Sequence, residues 1–300
     1  MFDIINNKRN SIDVDKFDYI ARDTRMMGLS LGQYDYKILL NDGRVINDEI
    51  VYPYKHSFEV MKLFQARYDL YKTIYNHLTV HSVEIILCDV LKASHGILYN
   101  FDEVIFDPEK YTYLTDNIMY DIQVSEDARL APAQELIKKL KRRDFYPYVG
   151  EIVFDSSMQG SVTSTLKGKE LLKKLTEKDI VDFATQDSDG TVLKEEDISL
   201  RKYTLNFAQG EKSPFECVKF YASPNFEYAG YIDRRSVSLI TPSIFQEHVL
   251  RLFVRDPKKI AVAEKAFSRF AQEVLGAEIK KKETKPSALS QNALFIGDSL

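Results

Sequence analysis

Asp15, Tyr19 and Asp23 stand at four-residue intervals, with Lys16 beside the first of them. On a helix these side chains share one face, while Phe17, Ile20, Ala21 and Thr24 fall on the other. A helix that buries its apolar side and aligns carboxylate, phenol and ammonium opposite can present a metal ligand and a phosphate contact together. A second segment repeats the spacing, with Arg67, Tyr71 and Tyr75 every four residues, then Asn76, His77 and His81. Each set also has a plain structural reading. Asp13 can cap the helix, Asp15 and Asp18 can sit on the positive end of its dipole, and Asp18 can pair with Arg22. The tyrosines can be core aromatics on an amphipathic stripe, with Arg67 paired to a carboxylate. His77 and His81 have the separation of paired zinc ligands, but no Glu follows the first His as a metalloprotease helix would require.

The elements that must position these residues are legible from caps and periodicity. Asn10, Ser11 and Asp13 are N-cap types and Gly28 is a natural stop, so a helix is expected from Ser11 or Asp13 to Met27. A turn at Asn41-Asp42-Gly43 within residues 34–51 predicts a small hairpin, closed by Pro53. Residues 57–93 contain no Gly or Pro and carry helical apolar spacing, which predicts one long helix or two abutting ones. Asp107-Pro108 and Thr115-Asp116 open further helices. Residues 131–143 form a basic amphipathic helix whose Lys138, Lys139, Lys141, Arg142 and Arg143 are expected to be a solvated face, with a polyanion contact as the alternative.

At Tyr148 the character changes to short β-rich runs at 148–154, 179–185, 198–208, 215–222 and 248–255, with helices at 166–176 and 257–275, the last stopped by Gly276. The expectation is an α+β fold: a mainly helical part over 1–147, a smaller mixed and largely antiparallel lobe over 148–276, and a disordered tail over 277–300. The opening, MFDIINN, has no targeting or capping logic and reads as cut from a longer element.

Composition excludes several classes. Forty-one Lys+Arg against 45 Asp+Glu give a net charge of −4, so no global field favours nucleic acid or an anionic membrane. There is no 18-residue apolar run and no signal peptide, which predicts a soluble intracellular protein, nuclear or cytoplasmic. Cys88 and Cys217 lie far apart in apolar stretches and are expected to be buried free thiols.

The segment KRNSIDVDKFDYIARD closely resembles KRNGIDVDKWDYFARD of the eukaryotic SAM-and-HD-domain deoxynucleoside triphosphate (dNTP) triphosphohydrolases. FQARYDLYKTIYNH, YTYLTDNIMYDI, RRDFYPYVGE, FECVKFYASPN and LITPSIF are similar to further segments of that family in the same order, over residues 2–275. The resemblance implies an HD-domain hydrolase that converts a dNTP to the deoxynucleoside and triphosphate with a divalent metal (Mg, Mn, Fe or Zn), and it implies allosteric assembly into a dimer or tetramer by nucleotide effectors, GTP or dNTP. It makes Asp15 the last metal ligand, places Lys16 and Arg67 on the phosphates, Tyr19, Asp23 and Tyr75 around the deoxyribose, and Asn76 beside base or sugar. Lys55, His77 and Arg234 or Arg235 match effector contacts.

The departures are equally specific. Tyr71 stands where the family has His, and Ile38, Pro53 and Leu78 where it has basic effector contacts. No His-Asp dipeptide occurs, and all five histidines, at 56, 77, 81, 95 and 248, follow Asp15. Three of the family's four metal ligands, and its catalytic His and Asp, are therefore missing from these residues, and a lone Asp15 cannot hold a catalytic metal. The expectation is the C-terminal part of such an enzyme, with no catalytic residue of its own and no dNTP hydrolysis alone. The alternative is a non-catalytic regulatory subunit that binds nucleotide or single-stranded nucleic acid, for which the basic helix is the motive.

Overall fold

The computed structural model describes residues 2–29, 34–157, 168–184, 190–222 and 227–281. Most of the expected tail (282–300), the first two residues of the 166–176 helix and the end of the 179–185 run lie outside them.

The short α1 (Phe2–Ile5) leads into a loop knotted by asparagines. Asn7 accepts from the Arg9 and Asn10 amides, Asn10 accepts from the Ile12 amide, and the Asn10 side-chain amide donates to the Ile50 carbonyl. Asp13 then caps α2 (Val14–Met26), accepting from the Lys16 amide at 3.0 Å and the Asn7 amide at 3.0 Å. Asn10 and Ser11 thus serve the loop, and Asp13 alone starts the helix. Past Met27 the chain leaves through Gly28, whose φ of +64° suits a residue without a Cβ.

The Asn41-Asp42-Gly43 turn is a helix end. Asp35 caps α3 (Tyr36–Asp42), and the hairpin follows it, with β1 (Arg44–Ile46) and β2 (Glu49–Pro53) joined by Asn47 and Asp48, both at positive φ. The apolar 57–93 stretch is two helices, α4 (Ser57–Leu70) and α5 (Leu78–Ser94), linked by one turn of π-helix over Tyr71–Tyr75. Four helices follow: α6 (Phe101–Val104), α7 (Pro108–Tyr111), α8 (Ile118–Val124) and α9 (Ala131–Lys141).

Next come β3 (Tyr148–Phe154), α10 (Gly168–Lys174), α11 (Glu177–Val181), β4 (Ile198–Asn206), β5 (Phe220–Tyr221), β6 (Ala229–Gly230), α12 (Arg234–Val237), β7 (Gln246–Val254) and α13 (Ile260–Leu275), which Gly276 ends in the left-handed region. The fold is α+β with two small sheets, β3-β7-β4 fully antiparallel and β1-β2-β5-β6 mixed. The strand expected over 179–185 is instead α11. Thr176 and Asp179 close a reciprocal capping box in front of it, which the alternation of DIVDF concealed. Likewise only Phe220–Tyr221 of the 215–222 run is strand, because Pro214 opens a 3-10 turn before it.

α13, α10 and α11 cover one face of the β7-centred sheet, burying Leu250, Leu252, Val254, Phe267 and Phe270. The other two cores mix both halves of the chain. One joins Phe17, Ile20, Phe64 and Leu70 to Phe207, Phe215, Phe220 and Phe245, and the other joins Ile85, Ile86, Ile122 and Ile137 to Phe253. Residues 280 and 281 are placed against the body: Lys280 exchanges both backbone hydrogen bonds with Glu151, and Lys281 pairs with Glu264. Cys88 is exposed on α5, since apolar sequence neighbours on a helix do not share its face, while burial raises the pKa of the half-buried Cys217 thiol; both cysteines are free.

Candidate substrate-binding site

α2 crosses α4 in one core, with Phe17 and Ile20 inward, so the opposite polar face of α2 runs beside the end of α4 and the π turn. There the Tyr75 hydroxyl donates a short hydrogen bond to Asp23, across 52 residues of sequence. Tyr19 lies 6.5 Å from Tyr75 between ring centres, and Tyr71 meets Tyr75 edge-on at 5.0 Å. The guanidinium of Arg67 lies 4.2 Å over the Tyr71 ring and donates to the Asn206 carbonyl at 2.7 Å, which ties β4 to the cluster. Burial raises the Tyr19 and Tyr75 pKa values far above the ordinary phenol; at Tyr75 the Asp23 carboxylate adds to the effect, and at Tyr19 Arg67 opposes it. Both phenols are therefore hydrogen-bond donors at neutral pH.

Four of the expected residues thus converge: Tyr19, Asp23, Arg67 and Tyr75. Asp15 is exposed one turn back from Tyr19. Lys16 turns to its own cap, with Nζ 3.2 Å from Asp13, and its side chain is only 15% exposed. Asn76 turns inward. Its side-chain amide donates to the Tyr71 carbonyl at 2.8 Å and its Oδ1 faces His81 Nε2 at 3.1 Å. The plain reading holds at the Asp18–Arg22 pair, 3.4 Å apart.

No protein-family model matches the chain. It is 30% identical to the deoxynucleoside triphosphate triphosphohydrolase SAMHD1 homolog of Dictyostelium discoideum, over 90% of this chain and 49% of that protein. It is 29% identical to the human SAMHD1 enzyme over 89% of this chain and 44% of that protein, and 28% identical to the Gallus gallus one over 95% and 47%. The chain belongs to the SAMHD1-like family. It spans about half the length of the curated relatives it matches.

The donor set that the described residues of this SAMHD1-like chain offer does not fit a catalytic metal. No group of three His, Cys, Asp or Glu side chains able to hold an ion occurs among the described residues. The histidines are occupied elsewhere: His56 on Asp42 at 2.7 Å, His95 on Asp102 at 3.4 Å, His248 with Thr204 at 2.9 Å, and His77 as cap of α5, its Nδ1 accepting from the Thr79 amide. The other expected effector residues lie on two short elements, Lys55 in the 3-10 turn over Tyr54–His56 and Arg234 and Arg235 on α12, which the Tyr54 hydroxyl bridges by donating to the Ser236 carbonyl at 3.4 Å. Lys55 pairs with Asp42 at 2.9 Å, Arg234 donates to the Pro242 carbonyl, and Arg235 is exposed on α12. On α9, Glu135 draws in Lys138 and Arg142, and Lys141 reaches Gln123. No helix among the described residues is long and apolar enough to cross a membrane.

Two residues that contact Asn76 were not among the expected site residues, although His81 stood in the His77–His81 spacing weighed for zinc. Arg251, in the middle of the apolar run VLRLFV, is 6% exposed and donates to Asn76 and His81. Its signal was the charge itself, since a cation inside a central strand must have partners. His81 is the second: burial, with Arg251 and Arg201 nearby, drives its pKa down to about 4. A ring kept neutral in the fold and protonated in the unfolded chain stabilises fully above the ordinary 6.5 and progressively less as pH falls towards 4. The unfolding free energy is expected to drop by up to about 1.4 kcal/mol per pH unit across that window. Urea titrations at pH 7 and pH 5 check this: His81→Gln should shrink the difference, leaving the same-signed share of His248, and equal differences in both proteins contradict it.

Proposed function

We propose that these residues carry the substrate-gripping half of a dNTP triphosphohydrolase site. The supporting observation is the Tyr75–Asp23 hydrogen bond beside Tyr19 and Arg67. A phenol ring under the sugar's C2′ leaves no room for a 2′-hydroxyl, a carboxylate can accept from the 3′-hydroxyl, and a guanidinium can meet phosphate oxygens in a bidentate fashion. Lys16 reaches the triphosphate by leaving Asp13, a partner only 3.2 Å away, so its phosphate contact competes with the helix cap. Asp15 is one ligand of the metal, which when bound supplies water activation and charge neutralisation. The other ligands come from outside these 300 residues, and the chain alone hydrolyses no dNTP. Nucleotide-driven homo-oligomerisation belongs to the same reading, with Lys55, His77, Arg234 and Arg235 as its contacts.

The test has two arms. The purified chain with manganese and dGTP is expected to release no triphosphate; release that Asp15→Ala abolishes overturns this. A single polypeptide joining the upstream half of the Dictyostelium relative to this chain is expected to release triphosphate from dNTPs but not from ribonucleotides. An inactive but folded fusion overturns the assignment of the site.

A further inference from the structure

The two faces of β7 do different work. Leu250, Leu252 and Val254 enter the core under α13, while Arg251 and Phe253 point the other way, towards the helices. A guanidinium there must have its N–H groups matched, since it is a donor only. Arg251 Nε and Nη2 donate to Glu151 Oε2 at 3.0 and 2.7 Å, and Nη1 donates to the Asn76 carbonyl at 2.6 Å. Nη1 also lies 3.1 Å from His81 Nδ1. Because arginine cannot accept, Nδ1 is the acceptor; the ring proton is on Nε2 and is donated to Asn76 Oδ1 at 3.1 Å. That fixes the flip of the Asn76 amide. Its Nδ2 is left to donate to the Tyr71 carbonyl at 2.8 Å, which already accepts from the Asn76 backbone amide at 3.1 Å.

A relay therefore runs from Glu151 through Arg251, His81 and Asn76 into the first carbonyl of the π turn, and directly from Arg251 into the residue that ends it. A π turn is rare and needs such outside support, because it inserts one residue into the helical ladder. Tyr75, whose hydroxyl meets Asp23, is the last residue of this turn.

We propose that Arg251 is a positioning residue: through Asn76 and His81 it holds the Tyr71–Tyr75 turn in the register that places Tyr75 on Asp23. The conformational claim stands on its own, while its consequence for substrate rests on the reading of Tyr75 given above. The C-terminal sheet then sets the geometry of a site whose side chains all belong to the helical part.

The test uses the whole chain without nucleotide, so its failure is separate from a failure of the proposed function. In Arg251→Met, hydrogen exchange at the Asn76 and His77 amides, which the turn protects, is expected to rise about tenfold or more. The 19F resonance of 3-fluorotyrosine at position 75, assigned with Tyr75→Phe, is expected to move. Amides of α2 around Ile20 stay as they are. His81→Leu shifts both readouts less in the same direction, and His81→Gln restores them, because a glutamine amide can accept from Arg251 and donate to Asn76. An unchanged turn, or a uniform rise that includes α2, overturns the proposal. Where Arg251→Met does not fold, the pair His81→Leu and His81→Gln decides by the same readouts, and failure of Gln to restore them counts against it.

Discussion

In the joined polypeptide described above, Asp23→Ala is expected to lower kcat/KM for dNTPs by about a hundredfold. The figure has two parts. Asp23 is the charged acceptor of the Tyr75 hydroxyl, and a hydrogen bond to a charged group contributes about 1.5–3 kcal/mol, a factor of roughly 10 to 150. Removing it also loosens the hydroxyl end of the ring, which keeps its edge contact with Tyr71, its neighbour Tyr19 at 6.5 Å and its packing against the core of α2 and α4. Companion variants separate these contributions. Tyr75→Phe keeps the ring and loses the hydroxyl, and its deficit should be smaller, with ribonucleotides still refused. Tyr75→Ala opens the space beside C2′, so the ratio of dNTP to ribonucleotide turnover should fall. Steady-state rates on dGTP and GTP with the three variants check all of this, and an Asp23→Ala enzyme within threefold of the parent removes Asp23 from the site.

What the sequence disclosed about that cluster, and what it hid, follows from the range of the forces involved. Helical spacing is local, so the polar face of α2 and the Arg67-Tyr71-Tyr75 row were legible from residue order alone, as was the Gly276 stop of α13. Caps are local too, yet Asp13, Asn10 and Ser11 are equivalent as residue types; only the pairing of Asn10 with Ile50 decides which one caps. Short alternating runs carry less information. DIVDF fits a strand and a single helical turn equally, and the Thr176–Asp179 capping box is what settles it. The turn of Lys16 towards Asp13 and of Asn76 towards His81 was not legible, because each depends on a partner whose direction spacing does not specify. The π turn was hidden as well: five residues, YKTIY, with ordinary helical spacing, are widened by a hydrogen-bond relay that begins 76 residues downstream on β3 and 176 residues downstream on β7.

That dependence on distant packing gives the second large effect. Phe267→Ala is expected to cost about 3–5 kcal/mol, because Phe267 is fully buried in the sheet core and stacks on Phe270 with ring centres 6.4 Å apart. Against a total of about 5–15 kcal/mol for a typical domain, this leaves the variant close to unfolding at ambient temperature. Urea midpoints read it directly, and Phe2→Ala, whose side chain is 88% exposed, is the matched control expected to change little. Phe267 lies on the opposite face of the sheet from Arg251 and touches neither Asn76 nor His81. If the chain unfolds as one unit, Phe267→Ala raises exchange at α2, the π turn and β7 by the same factor, whereas Arg251→Met raises it at the turn alone. A Phe267→Ala protein that loses its β7 protection while α2 and the turn keep theirs would instead show that the sheet melts separately. In that case the relay would be broken whenever the C-terminal sheet opens, and the grip of Tyr75 on Asp23 would follow the stability of an element that contributes no side chain to it.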